Sequence, residues 1–376
     1  MTTIDLQLTA APADFRSALS SIAVAPSCLW LGADEGTAIV RVPIEGGGAF
    51  GPAEEPIDLH SLLDLPGPED EEVDVEGMDY EPEENCLWVV GSHSLKRKKL
   101  KKGQNSPDTL EEVSADGNRY VLARVPLDRG GRVMPAEAWE EEGSFAALLR
   151  CDEWTSDLLD AMRKDPLFKR FIAGKGEESE EKNIPGKDNG LDIEGLAATG
   201  PGRLMIGLRG PVMRGWAIIL EVSLKAKWEA KEECGTLKLR KLKDTGFRYR
   251  KIFLPLEGLG IRDICFVGDD LIILAGPTMD LAWPPTIFRW KGAKQWEKRE
   301  GAGDLVVGAP GSGSPKLERV VLPAELSGSL DAKAEGLALF PQGVAGKGQQ
   351  LTIVYDGPGR VNGDSVSFDC FPIAVS

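Results

Sequence analysis

Short apolar runs punctuated by turn residues recur along the whole chain. Ile4-Asp5-Leu6-Gln7-Leu8 alternates as a half-exposed strand does. Beyond it one frame returns with variation: apolar, polar, small or acidic, apolar, then a continuous apolar segment. Asp192-Ile193-Glu194-Gly195-Leu196 is the clearest copy, and Val75-Glu76-Gly77-Met78 and Ala334-Glu335-Gly336-Leu337 match it. Ile261-Arg262-Asp263-Ile264 puts Arg in the polar place, and Leu19-Ser20-Ser21-Ile22 puts Ser there. Each copy opens a unit of several strands. In the first unit these are Ser20 to Ala25, Cys28 to Gly32 and Thr37 to Pro43, closed by Leu59 to Leu65. In the second, Asn85 to Gly91 and Tyr120 to Pro126 repeat the middle pair. The third unit runs through Arg203 to Leu208 and Trp216 to Val222, with Thr236 to Lys243 as an exposed outer strand. The fourth has Asp270 to Ala275, Thr286 to Trp290 and Glu318 to Leu322. The fifth ends the chain with Gln350 to Tyr355 and Ser365 to Pro372.

The last unit lacks an outer strand and the N-terminus supplies an unassigned one. One arrangement satisfies both: an all-β, five-bladed β-propeller over residues 1–376, closed by Ile4 to Leu8 on the final blade. Six blades is the alternative, because the spacing from Glu76 to Glu194 is about twice the others. Two insertions fill that gap. One, 94–117, carries Lys96-Arg97-Lys98-Lys99 and Lys101-Lys102. The other, 144–189, holds leucines and phenylalanines near helical spacing over 144–172, split by Pro166, and is expected to be a helical cover.

Composition sharpens this picture. Nine Trp and 44 Gly suit an all-β protein rich in turns. A formal charge of −16 argues against general affinity for nucleic acids or anionic membranes. No apolar run reaches the length of a membrane span. The first residues lack a basic n-region and an apolar h-region, and the six Cys form no CxxC pair, so reduced thiols in a cytoplasmic, monomeric protein are expected. Two His are too few for a His-based zinc site.

In a propeller the repeated polar position converges on the axis, here as Ser20, Glu76, Glu194, Arg262 and Glu335. The loops joining second and third strands meet at the same mouth: Ser92-His93-Ser94, Arg209-Gly210-Pro211, Thr278 and Asp356 among them. Three axial carboxylates need compensation, either from a hard cation such as Ca²⁺ or from Arg262. A purely structural Glu/Arg network is the plainer alternative. Arg209, Arg214 and Arg262, with Ser92, Ser94, Lys96 and Arg97, could cradle a small anionic, phosphate-bearing ligand. Glu76, Glu194, Glu335 and His93 are the acid–base candidates of a phosphoric-ester or nucleotide hydrolase. A non-catalytic propeller that binds a protein partner is the rival function.

Three strings (Asp74 to Lys99, Gly190 to Val222 and Gly260 to Thr278) resemble an uncharacterised bacterial family, domain of unknown function 3616, which implies a propeller and no defined activity. More remotely, the axial series is similar to that of the calcium-activated nucleotidases, five-bladed propellers around an axial Ca²⁺. That resemblance implies Ser20, Glu76, Glu194 and Glu335 as metal ligands. Arg262 departs from it, standing where that family has Ser.

Overall fold

Every copy of the recurring frame is an inner strand: Leu19–Ala25, Val75–Glu81, Asp192–Gly200, Gly260–Val267 and Lys333–Phe340. The computed structural model of the chain describes residues 1–98, 110–172, 184–229, 232–242, 245–297, 303–308, 316–327, 333–344 and 348–373. Lys99, Lys101, Lys102 and most of the segment 174–187 therefore lie outside the described residues, apart from 184–187.

The fold is mostly β, in curled antiparallel sheets. Leu19–Ala25 pairs with Cys28–Ala33, then Ala38–Pro43, then the short Ile57–Asp58. Val75–Glu81 leads to Cys86–Gly91, Leu122–Pro126 and Ala147–Leu149. Asp192–Gly200 leads to Arg203–Met213, Trp216–Lys227 and Tyr249–Leu254. Gly260–Val267 leads to Asp270–Gly276, Thr286–Trp290 and Leu317–Arg319. Lys333–Phe340 leads to Gln350–Asp356, Ser365–Pro372 and then the N-terminal strand Thr2–Gln7. Each inner strand lies against the next, and Lys333–Phe340 lies against Leu19–Ala25.

Strand alternation explains why both faces of these sheets are apolar. Leu29 and Leu31 enter a cluster with Phe340 and Phe368 of the last sheet, while Cys28 and Trp30 enter another with Leu87 and Val89 of the second. Trp88 and Val90 face Ile206 and Leu220 of the third sheet. Met205 and Ile219 face Ile264 and Phe288 of the fourth, and Ile272 and Leu274 face Leu351 and Ile353 of the fifth. Buried polar staples reinforce these seams. Asp263 accepts from Ile264 N and, across to the fifth sheet, from Leu337 N, both at 2.7 Å. Asp79 accepts from Ala198 N of the third sheet at 2.8 Å. Asp263→Ala would leave those amides without acceptors, and a loss of about 2–3 kcal/mol in urea denaturation is expected.

Three predicted elements are corrected. The helical cover over 144–172 reduces to one six-residue helix, Asp157–Met162, capped by the Ser156 side chain on Leu159 N. Leu148 and Leu149 belong instead to a buried outer strand, with a small hairpin at Cys151–Asp152 and Thr155–Ser156 following. The leucine spacing suited either element, and burial between two strands decided for β. The outer strand of the third sheet is Tyr249–Leu254 rather than Thr236 to Lys243. Gly235–Leu239 instead joins two sheets, antiparallel to Trp216–Lys227 and parallel to Ala147–Leu149, with Leu237 and Leu239 buried. Leu59 to Leu65 is not a strand. Asp58 accepts from His60 N and turns the chain into a 3₁₀ segment at Leu59–Ser61.

Candidate functional site

The register slips by one residue at the same place in all five inner strands, and the skipped residue is the repeated polar one: Ser20, Glu76, Glu194, Arg262 and Glu335. A bulge leaves its extra residue unpaired and re-aims the side chain. The glycines after the three Glu answer a separate need. A Cβ on Gly77 would come within 2.9 Å of Leu196 Cβ, and one on Gly195 within 3.3 Å of Asp263 backbone, so neighbouring inner strands approach through them.

The five bulged side chains divide. Arg262 Nη1 lies 3.3 Å from Glu194 Oε2 and also bonds Glu335 Oε2. Arg209, skipped in turn on the strand opposite Glu194, reaches Glu194 Oε1 at 2.8 Å and Asp192 Oδ2 at 3.4 Å. Pro277 O accepts from both arginines. The Ser20 hydroxyl donates to Val75 O. Glu76 is only 8% exposed and makes no hydrogen bond or ion pair among the described residues. Two of the carboxylates expected to hold calcium already share a cation of the chain's own. The Arg262 guanidinium stands between Glu194 and Glu335. Among the described residues, the one trio of acidic, Cys or His ligand atoms mutually within 4.8 Å is Glu81, Glu84 and Cys86, elsewhere in the molecule.

Above Glu76 opens a cavity of about 1310 Å³. Among the described residues eleven carboxylates and five cations line it, so this part of its wall is strongly acidic. Four of the cations are held in ion pairs: Lys96 with Glu72 at 2.8 Å, Arg97 with Asp188 at 2.7 Å, Lys98 with Glu112, and Arg119 with Asp74 at 2.7 Å. Lys187 forms no ion pair among the described residues. Burial opposes its charge, but Glu76, Asp192 and Asp74 outweigh that and raise its pKa.

The carboxylates register the surplus. Burial, then Asp74 and Glu194, push Glu76 well above the usual carboxylate range. Burial, Asp74 and Asp356 raise Asp34 to about 8, against the pull of Lys187. Burial raises Asp192 to about 7, with Glu194 and Asp74 adding to it and Arg209 and Lys187 opposing. Burial also raises Glu194, more than Arg262 and Arg209 lower it.

Of the predicted mouth residues, Glu76, Ser94, Lys96 and Arg97 line this cavity. Ser94 Oγ donates to Ser92 Oγ at 3.0 Å and accepts from Arg119. Ser92 is fully buried behind it. His93 turns away, into an apolar pocket with Tyr120, Leu159 and Phe171. Its Nδ1 donates to Gly91 O at 3.0 Å, its Nε2 is buried without a partner, and burial lowers its pKa to about 4, so the ring is neutral. Arg214 is exposed at a hairpin tip with φ 53°, and Thr278 and Asp356 are half-buried outside the cavity wall. The frame carried a further signal that was missed. Asp74 and Asp192 stand two residues before Glu76 and Glu194, the strand period that returns a side chain to the same face. Arg119 and Lys187 had no such signal, since unrelated loops bring their partners.

The chain belongs to the family described as Protein of unknown function (DUF3616), which it matches over residues 18–366. No curated protein matches it. Among solved structures it is similar to the PQQ-bound aldose sugar dehydrogenase of Streptomyces coelicolor, at 10% identity, TM-score 0.37, and 98% of each chain covered. It is likewise similar to a catalytically inactive virginiamycin B lyase from Staphylococcus aureus with quinupristin, at 10% identity, TM-score 0.35, and 99% of each covered. A third is a putative glucose dehydrogenase from Thermus thermophilus, at 15% identity, TM-score 0.34, covering 98% of this chain and 100% of that one.

Proposed function

We propose that this chain is a five-bladed β-propeller, closed by its N-terminal strand, that binds a ligand through a positively charged organic group at its axial mouth. The five bulged inner strands and the cyclic contact between them support the blade count. One observation carries the ligand assignment: Glu76, buried and without a partner among the described residues, faces a cavity whose described wall holds more carboxylates than cations. A buried charge without a partner is costly, and an ammonium or guanidinium is the counter-ion that removes the cost. The charges of Glu76, Asp192 and Asp74 also raise the pKa of Lys187, a nitrogen cation in the same wall.

The anionic, phosphate-bearing ligand predicted from the sequence gives way. Of the basic residues that prompted it, Lys96, Arg97 and Lys98 pair with Glu72, Asp188 and Glu112, Arg209 and Arg262 pair with Glu194, and Arg214 lies outside the cavity, so the described wall would repel phosphate. With His93 neutral and outside the cavity, an acid–base role at the mouth loses its imidazole. We read the site as a binding site rather than a hydrolytic one. We place the protein in the cytoplasm, on its six unpaired cysteines.

The test is calorimetry with agmatine, calcium chloride and inorganic phosphate as probes. Agmatine is expected to bind, with affinity rising at least tenfold from pH 6 to pH 9. Asp192 and Asp34 are protonated below about 7 and about 8, and only their ionised forms attract the cation. Binding at pH 7 should therefore release protons, seen as a dependence of the heat on buffer ionisation enthalpy. Binding of phosphate but not agmatine would overturn the assignment.

A further inference from the structure

The acidic cavity does not end in a polar rim. The loop between Asp270–Gly276 and Thr286–Trp290 carries Met279, Leu281 and Trp283 at 52%, 51% and 45% exposure. Met279 and Asp280 form part of the cavity wall, so this apolar ledge is continuous with the site, and Leu110 at 39% exposure lines the same cavity. The ledge is built rather than loose. Leu281 N donates to Met279 O at 2.9 Å, Met279 bridges to Asp188, and Trp283 Nε1 donates to Thr286 Oγ1 at 3.2 Å ahead of Pro284 and Pro285. Large apolar side chains held exposed beside a cleft mark a place where something docks. A fixed Trp is the residue type that most often anchors a partner.

Charge selects the partner. The wall next to the ledge is acidic, and the whole chain carries −16. A lone amine would fill little of a cavity of about 1310 Å³. We propose that the occupant is a segment of another protein in which Lys or Arg stands beside large apolar residues. Its cationic side chain enters the mouth against Glu76, and its apolar residues lie on Leu281 and Trp283. This deepens the cation-binding assignment and rests on it. The long-range field of the acidic face would speed encounter with such a segment, and the ledge would slow its release.

Fluorescence anisotropy on the full chain at 150 mM salt tests this with three labelled decapeptides. One places Lys and Arg among Leu and Trp, the second replaces the apolar residues with Gly and Ser, and the third replaces Lys and Arg with Glu. The first is expected to bind at least tenfold more tightly than the second, and the third not at all. Trp283→Ala and Leu281→Ser, both exposed and away from any core, should bring the first peptide down to the second and leave agmatine binding unchanged. Equal binding of both basic peptides, or indifference to Trp283→Ala, would overturn the ledge as the docking surface. Agmatine binding with no peptide binding would equally overturn it. Loss of peptides and agmatine together would instead remove the cation-binding assignment beneath it.

Discussion

Glu76→Gln is expected to weaken cation binding at least tenfold while making the ligand-free protein more stable. The two effects share one cause. The Glu76 carboxyl is buried, unpartnered among the described residues, and faces Asp74 and Glu194, so its folded pKa lies well above 4.5. A group whose pKa rises on folding contributes fully below its unfolded value, and that contribution is lost as pH climbs toward the folded one. At pH 8 the wild-type protein therefore carries a penalty that Gln, of the same shape and neutral, does not. Relief of about 1–2 kcal/mol is expected from removing a poorly compensated buried charge. For a chain of this length that is roughly 1–3 °C in thermal midpoint. At pH 4.5 the difference should nearly vanish, because Glu76 is then largely protonated in the folded protein. The same substitution removes the anion that the ligand neutralises, so agmatine affinity at pH 8 should fall by tenfold or more. Scanning calorimetry at both pH values and a binding isotherm at pH 8 check the pair. A lower midpoint together with unchanged binding would mean that Glu76 holds the fold rather than the ligand. Residues kept at a cost to stability are expected where a site needs them.

Much of the architecture was readable because inner strands obey local rules. The frame around Glu76, Glu194 and Glu335 shows the polar position, the glycine and the apolar run as a repeated string, although their reasons (a bulge, a close approach between inner strands and a doubly buried strand) are tertiary. The bulges were not readable, because a register slip exists only between two strands. The outer strands failed for a related cause. Ala147–Leu149 is three residues long, too short for a period to declare itself, and its identity comes from the strands on either side. Gly235–Leu239 alternates as a strand should, yet its partners lie in two different sheets. At the site, the proposed sign of the ligand departs from the sequence expectation chiefly because of one basic loop. Lys96, Arg97 and Lys98 look like an anion cradle as a string. Only the fold reveals that Glu72, Asp188 and Glu112 reach them from three other places in the chain. A local run of charge reports what the surface could bind, and the tertiary partners decide what remains to be bound.

Arg262 carries the second large expectation. Arg262→Met should cost about 3–5 kcal/mol in urea denaturation, because it removes the partner of two buried carboxylates at once. Glu335 loses the only ion-pair partner it has among the described residues, and Glu194 keeps Arg209 alone. Burial already holds the Glu194 pKa above 4.5 with both guanidinium groups present. With one gone it rises further, so the deficit should be wider at pH 8.5 than at pH 5.5, since stability from a raised carboxyl is lost as pH rises. Adding Glu335→Gln to Arg262→Met should recover part of the loss, as removing both members of a buried pair is milder than removing one. The same position decides whether a metal once stood there. Arg262→Ser reproduces the residue that the resemblance to calcium-activated nucleotidases would place at this point. Even so, Glu194 remains bonded to Arg209. Calcium is therefore expected to leave the midpoint of Arg262→Ser where it was. A calcium-dependent rise of several degrees in that variant, missing from the wild type, would show instead that the guanidinium occupies a metal's place.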